Sequence, residues 1–307
     1  NIYAQIQYRI NDFFSLSLGG GLNDYLISSE FNDTSKINLG YKKLELNNLS
    51  IIKNLSLNYA KSKLVINFKL FDGFRNPNVD DMTKIFSKDD KNVVVPNNNL
   101  SSEKVSNYEI ATTYITNKFE LSFNSYLSLI NNAISREFSQ INNQDSILYD
   151  GEIMRVQMNK NIDNITIYGF EIFTKSLFAN NYTMDNKVIF TAGLKSNNDP
   201  LAHIAPIQIK NNFKKKIGNS YIALSHTYYG KKDNEDFDLS GIDNLDEATI
   251  DGIPSVNFFD VSYFNQINKN IIINFSIENI FDIHHKFFSS AIVSNGRNYV
   301  ISLQKKF

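Results

Sequence analysis

Apolar and polar residues alternate along almost the whole chain. In "KFELSFNSYLSLI", Phe119, Leu121, Phe123, Leu127 and Leu129 share one face, while Lys118, Glu120, Ser122, Asn124 and Ser128 share the other. In "NIIINFSIENI", Ile271, Ile273, Phe275 and Ile277 oppose Asn274, Ser276 and Glu278. Successive side chains of a strand point to opposite faces, so this period of two predicts strands with one apolar face. About thirteen such runs are predicted, near residues 1–10, 13–28, 44–59, 63–73, 104–115, 118–130, 162–178, 186–195, 204–216, 219–230, 255–266, 270–281 and 297–307. Many are ten residues or longer. Globular strands average about five or six, whereas a membrane-crossing strand needs about nine to eleven.

The connections alternate between short and long. "IND", "TNK", "IGN" and "INKN" are short; 74–103, 131–161, 231–254 and 282–296 are long. Membrane barrels segregate short periplasmic turns from long extracellular loops, and a soluble up-and-down barrel has no reason to. The expectation is therefore all-β: an antiparallel transmembrane β-barrel segment of the outer membrane of a Gram-negative bacterium. The first run precedes a short turn and the last follows a long loop, so both run inward and the count is odd. A closed antiparallel barrel needs an even count. Further strands are thus expected ahead of "NIYAQIQYRI", which already alternates and has no signal peptide.

Composition narrows the choice. No apolar run approaches the roughly 18 residues of a membrane helix. A mean hydropathy of -0.29 still suits a barrel, because only alternate residues face lipid. The net charge of -1 gives no basic footprint for nucleic acid. With no cysteine there is no disulfide framework, thiolate metal site or Cys nucleophile. With no Trp, the interfacial girdles must come from 16 Tyr and 24 Phe. Tyr299, Ile301, Leu303 and the terminal Phe307 share one face of the last run, with Lys305 breaking it near the rim, where its stem can snorkel. No GxSxG, HExxH or P-loop occurs, so no enzyme, cofactor or metal site is expected.

Four segments carry a family resemblance. "GFRNPNVDDMTKIF" followed by "VVVPNNNLSSEKVSNYEIA" is similar to paired Phe-Arg-Ala-Pro and Asn-Pro-Asn-Leu boxes ahead of a Tyr-Glu strand. "DSILYDGE" precedes a Gly-x-Glu strand, "IYGFEIF"; "PLAHIAP" resembles an outer loop; "ENIFD" and "SSAIVSNGRNYVISL" resemble a final hairpin. In this order, over residues 70 to 307, they resemble the C-terminal part of the barrel of TonB-dependent outer-membrane receptors. The resemblance implies a barrel of about 22 strands, filled by an N-terminal plug and driven through the TonB complex. The plug, the TonB box and about nine barrel strands would then precede this segment, with residues 1–307 forming one barrel portion, expected to be monomeric. The boxes and "DSILYDGE" look most like receptors for haem, haemoglobin and transferrin, which makes haem or a haem protein the first expected ligand and a ferric siderophore the second. Asn76 stands where the family has Ala, and residues 79 to 96 lack the His that haem receptors carry there. A passive porin or structural barrel is the rival class.

The resemblance marks Phe74, Arg75, Pro77, Asn78, Pro96, Asn97 and Leu100 as a ligand-loop motif. Arg75 is expected to fork to Asp80 or Asp81, Pro77 to end the strand, and Asn78 to close an Asx-turn. His203, His284 and His285 fall on the extracellular side as candidate haem or iron contacts, since neutral imidazole suits haem iron. The alternative is solvated loop histidines. His226 alternates with Ile222 and Leu224, toward lipid. Glu109, Glu171 and Lys175 have lumen parity, where plug contact is expected and substrate contact is the alternative. "SKDD" at 87–90 and "KKDNEDFD" at 231–238 read as loop tips or a protein-ligand surface; the latter lacks the Gly and terminal Glu of an EF-hand. "GGG" at 19–21 reads as a bend or close packing within a strand.

Overall fold

The computed structural model describes residues 1–31, 37, 39, 42–87, 91–162, 164–178, 181–238, 243 and 248–305. Thirteen long strands form one antiparallel sheet: β1 (Ile2–Arg9), β2 (Phe14–Glu30), β3 (Lys43–Lys61), β4 (Leu64–Arg75), β7 (Glu103–Ile115), β8 (Phe119–Asn131), β12 (Ile165–Phe178), β13 (Tyr182–Lys195), β14 (Gln208–Ile217), β15 (Ser220–Tyr229), β16 (Val256–Asn268), β17 (Ile271–Glu278) and β18 (Asn298–Lys305). Each pairs with its sequence neighbour in this series, and β1 and β18 are the two edges. All thirteen lie where the period of two places them.

Most boundaries shift by one to four residues, and three of the shifts have a visible cause. β4 continues through Gly73 to Arg75, held by the pair Arg75 and Glu103. β13 starts at Tyr182, four residues early, because polar Asn186 hides the alternation of Tyr182, Met184 and Val188. β14 starts at Gln208 rather than 204. Pro206 has no N–H for a ladder, and the Ile204 carbonyl accepts from Lys232 Nζ at 2.7 Å instead.

The register sorts the faces. Phe68, Ile110, Leu127, Tyr168, Phe213, Leu224, Tyr263, Phe275 and Ile301 all lie on one face and all stay exposed. An exposed apolar band this wide needs a lipid solvent. At its short-turn end, Phe14 packs on Tyr59 at 4.8 Å and Tyr182 on Phe213 at 5.4 Å. Lys61 and Lys215 reach over Phe13 and Tyr182, the geometry of a snorkelling interfacial girdle without Trp. The other face carries Gln5, Ser17, Asn54, Asn58, Asn67 and Lys69 along a polar groove of about 650 Å³.

Glycines on the polar face make room for tyrosines. Tyr3 lies across Gly19 and Gly21, and Asn54 Nδ2 donates to its hydroxyl at 2.6 Å. Tyr126 lies across Gly169 to meet Thr191 Oγ1 at 2.9 Å. The "GGG" run thus packs a side chain of its own strand pair.

The connections alternate without exception, from turns as short as 62–63 and 218–219 to loops such as 76–102 and 132–164. The latter two contain what the sequence did not announce. β5 (Phe86–Ser87), β6 (Asn92–Val95), β9 (Ala133–Phe138), β10 (Ser146–Tyr149) and β11 (Glu152–Ile162) build a second, mixed sheet. β11 is its spine: antiparallel to β9 and β10, parallel to β6. Val93, Val95, Ile141, Met154 and Val156 fill its core, together with Ile37 and Leu39. The 74–103 and 131–161 segments are therefore a folded body. Residues 88–90 of "SKDD" and the terminal Phe307 lie outside the described residues.

Candidate functional site at the long-loop end

Arg75, the last residue of β4, donates from Nε to Glu103 and from Nη1 to Asp81 at 2.6 Å. Asp80 is not its partner; it lies 3.9 Å from Lys84. Asn78 caps a one-turn helix, α1 (Val79–Thr83), rather than an isolated Asx-turn. Its side chain accepts from the Asp81 N–H at 2.8 Å, and Asp81 accepts from the Asn78 N–H at 3.0 Å, a complete capping box. Glu103 also accepts from the Ile134 N–H at 2.6 Å. One Arg–Glu–Asp fork thus ties β4, α1, β7 and β9 together.

The second box closes the other side. Asn97 Nδ2 donates to the Asn159 carbonyl at 2.6 Å, and Asn159 Nδ2 donates to the Asp81 carbonyl at 2.9 Å. Leu100 packs with Met82 and Leu44; Pro77 and Pro96 are buried. Phe74 stands apart, because its alternation puts it on the apolar face with Phe68 and Leu70. Of the seven motif residues, six therefore hold the second sheet on the barrel end, and none of those six presents a free charged group outward apart from Arg75, whose guanidinium is engaged. Removing the fork has a defined cost. Glu103→Ala leaves Arg75 Nε and the Ile134 N–H without their acceptor and is expected to destabilise the loop body by about 2 kcal/mol. Glu103→Gln, which can still accept from Ile134, should lose less, as read by chemical unfolding followed by proteolysis of the loops.

The histidines do not converge. His203, at φ +65, is held by buried Asp243: both carboxylate oxygens accept its N–H at 3.0 Å, and Nδ1 lies 3.1 Å from Oδ1. His284 is exposed beside Gly296. His285 is 7% exposed, edge-on to Phe287 at 5.3 Å and Phe258 at 6.4 Å. Burial holds its pKa below the ordinary value, which favours the uncharged imidazole. His226 shares the apolar face, stacked on Phe259 at 4.6 Å and bonded to Asn211 and Asn257. Among the described residues no cluster of three His, Asp or Glu side chains is placed to hold a metal ion.

Two of the three lumen-parity charges make strand-to-strand pairs, and the third faces carboxylates across its ladders. Glu109 bonds Lys69 at 3.0 Å, Glu171 lies 3.2 Å from Lys187, and Lys175 stands in register with Asp185 and Glu120. The "KKDNEDFD" segment is folded rather than a solvated tip. Phe237 and Asp238 are buried, Asn234 donates to the Ile250 carbonyl at 2.5 Å, and Asp238 pairs with Lys195 at 2.7 Å.

A family profile described as "TonB dependent receptor-like, beta-barrel" matches residues 1–280. The chain belongs to this TonB-dependent receptor barrel family. It is accordingly an outer-membrane β-barrel chain, and its long loops are extracellular. Among solved structures it is similar to a "Copper transporter OprC" (TM-score 0.77, 12% identity, 99% of this chain and 47% of that one). It is also similar to the FrpB iron transporter from Neisseria meningitidis (0.72, 14%, 99% and 45%) and the siderophore receptor PirA from Acinetobacter baumannii (0.73, 13%, 99% and 45%). The chain spans less than half the length of these receptors. No curated protein sequence matches significantly.

Against this receptor frame, several key residues carried no signal of their own. Asn76, a departure from the box, accepts from Asn48 Nδ2 at 2.9 Å and Ser102 Oγ at 2.5 Å and donates to Asn23. It knits β2, β3 and the start of β7 across the receptor rim, which Ala could not do. Lys195 joins Asp238 to the second sheet through Glu137 at 3.8 Å. Lys232 is 5% exposed, with its ammonium over Phe288 at 4.5 Å and Phe237 at 5.4 Å; burial lowers its pKa.

Proposed function

We propose that this chain is the strand-and-loop portion of a receptor that imports a metal-bearing nutrient across the outer membrane with energy delivered by the TonB complex. The observation that carries the reading is the family match over residues 1–280. Two features support it. In the described parts of the long loops, a second sheet and its ion pairs brace the long-loop end of the barrel sheet. The polar face bears paired charges suited to a filled lumen rather than an open conduit, which favours a receptor over a porin. The structural relatives named for copper, iron and siderophores support a metal chelate as cargo.

A ferric or copper chelate is favoured over haem. The loop between the boxes has no His, Asp243 engages His203, and His284 is exposed. The haem reading rests on His285, the one buried candidate, whose ring lies edge-on to Phe258 and Phe287. Cells carrying the intact receptor should accumulate radiolabelled ferric or copper chelate only while TonB is active, and more than receptor-deleted cells. Uptake that persists without TonB overturns the reading in favour of a passive pore. Haem-dependent growth lost on His285→Ala, with chelate uptake intact, would reinstate haem.

A further inference from the structure

β3 and β4 are bonded to each other only from the pair Asn54 and Phe71 down to the pair Lys61 and Leu64. Above that level β3 stays on β2 and β4 stays on β7, so the two strands part. The seam is bridged again higher up, where Asn48 Nδ2 of β3 donates to Asn76 Oδ1 at 2.9 Å. Between these levels lies a hollow of about 470 Å³. Its floor is one register row of the apolar face across four strands: Leu18, Leu55, Leu70 and Tyr108. Its rim is the next row on the same face. Gly20 stands beside Lys53 on one side of the seam, and Asp72 beside Ser106 on the other. Gly20 brings no side chain, which keeps the recess next to Lys53 open.

The depth of these two charges is unusual. Lys53 lies eight residues up from Lys61, and Asp72 eight up from Leu64, at the short turn. At roughly 3.3 Å per residue and a tilt near 45°, that is about 19 Å, inside an apolar band about 25 Å tall. Exposed Ile51 continues the apolar face above Lys53. A charge at a lipid-facing position is costly and is kept where a polar partner meets it. These two do not offset each other. Asp72 accepts from Ser106 Oγ at 3.0 Å, and among the described residues Lys53 makes no ion pair. Strands that part in lipid also need polar partners for their facing main-chain groups.

We propose that this hollow seats one outer-leaflet lipid with a zwitterionic, phosphoethanolamine-type head. Lys53 binds the phosphate and Asp72 the primary amine. An acyl chain lies over the floor of Leu18, Leu55, Leu70 and Tyr108. Charge complementarity selects this head: a purely anionic one would meet Asp72, and a purely cationic one would meet Lys53. The volume is that of a whole-ligand pocket, about 300 to 1,000 Å³, and takes the head with the first part of its chains. The bound lipid seals the seam where β3 and β4 part. The site requires only the barrel in its membrane and is independent of the cargo.

The intact receptor, purified in detergent and stripped of lipid, is mixed with palmitoyl-oleoyl phosphatidylethanolamine or with the matching phosphatidylglycerol. Retained lipid is counted by native mass spectrometry. Phosphatidylethanolamine is expected to bind about tenfold better, the factor that one ammonium–carboxylate hydrogen bond supports. Asp72→Asn should remove that preference, and Lys53→Gln should weaken retention of both lipids. Both variants should still migrate as compact barrels on an unheated gel. Glycerophosphoethanolamine, the same head without chains, should not compete. The proposal is overturned if the wild-type receptor retains the two lipids equally or retains neither. It is also overturned by full competition from the chainless head, or by a preference that survives both Asp72→Asn and Lys53→Gln.

Discussion

Replacing Val156 by Asp is expected to melt the second sheet while the barrel strands remain paired. Val156 is fully buried on β11, in register with Val93 of β6, and surrounded by Val95, Ile141 and Met154. A carboxylate placed there loses its hydration and finds no partner among those aliphatic side chains. The expected destabilisation is about 4 kcal/mol or more, comparable to all the stability a sheet of this size and core can hold. The barrel should survive because β4, β7, β8 and β12 pair with one another along their own lengths, independently of β11. Protease added outside intact cells should cut within 132–164 in the variant and not in wild type, while the folded barrel still migrates as a compact band on an unheated gel. Val156→Ile, a small volume change, should resemble wild type. If the loops of Val156→Asp stay resistant, the second sheet does not depend on this core.

The same contrast explains what could be read in advance. The thirteen barrel strands were legible because each buries nothing on its outer face except in lipid, so a period of two, broken only at places such as Ser125 and Ile272, runs through Phe119–Asn131 and Ile271–Glu278. The second sheet has no such signature. β6, Asn92–Val95, is a four-residue run buried on both sides, indistinguishable by periodicity from any apolar loop patch. Its partner β11 lies some sixty residues away and pairs in parallel, which no local turn announces. Arg75, Pro77, Asn78, Pro96, Asn97 and Leu100 brace the joint between the two sheets. Asp81 was foreseen as a partner of Arg75; Glu103 was not, because its role depends on the register of β4 against β7. Among the histidines, sequence placed His203, His284 and His285 on the same side. Burial then separates them: Asp243, forty residues from His203, engages one, the second is exposed, and His285 is buried against Phe258 and Phe287.

The second large effect is expected at Gly169. A methyl group added there would run into the main-chain carbonyl oxygen of Phe190 on β13 and meet Tyr126 Oη at 2.7 Å on β8. The tyrosine can swing away, but the carbonyl belongs to a ladder bonded from Ile165 to Phe178 and cannot. Gly169→Ala is therefore expected to cost about 2 to 3 kcal/mol, and Gly169→Val more, through overpacking that only strand displacement relieves. Removing the tyrosine tests which contact governs: Tyr126→Ala in the Gly169→Ala background should recover less than half of the loss. Gly20→Ala is the control, since a methyl there meets only the Ile52 carbonyl at an ordinary 3.5 Å and should leave the temperature of barrel unfolding unchanged. Both glycines sit inside long strands and look alike in sequence; their difference comes from the neighbour that crosses each one. Equal tolerance of the two substitutions would mean that β12 and β13 are not in the register described, and with it the placement of Glu171 opposite the strand that carries Lys187 would fall.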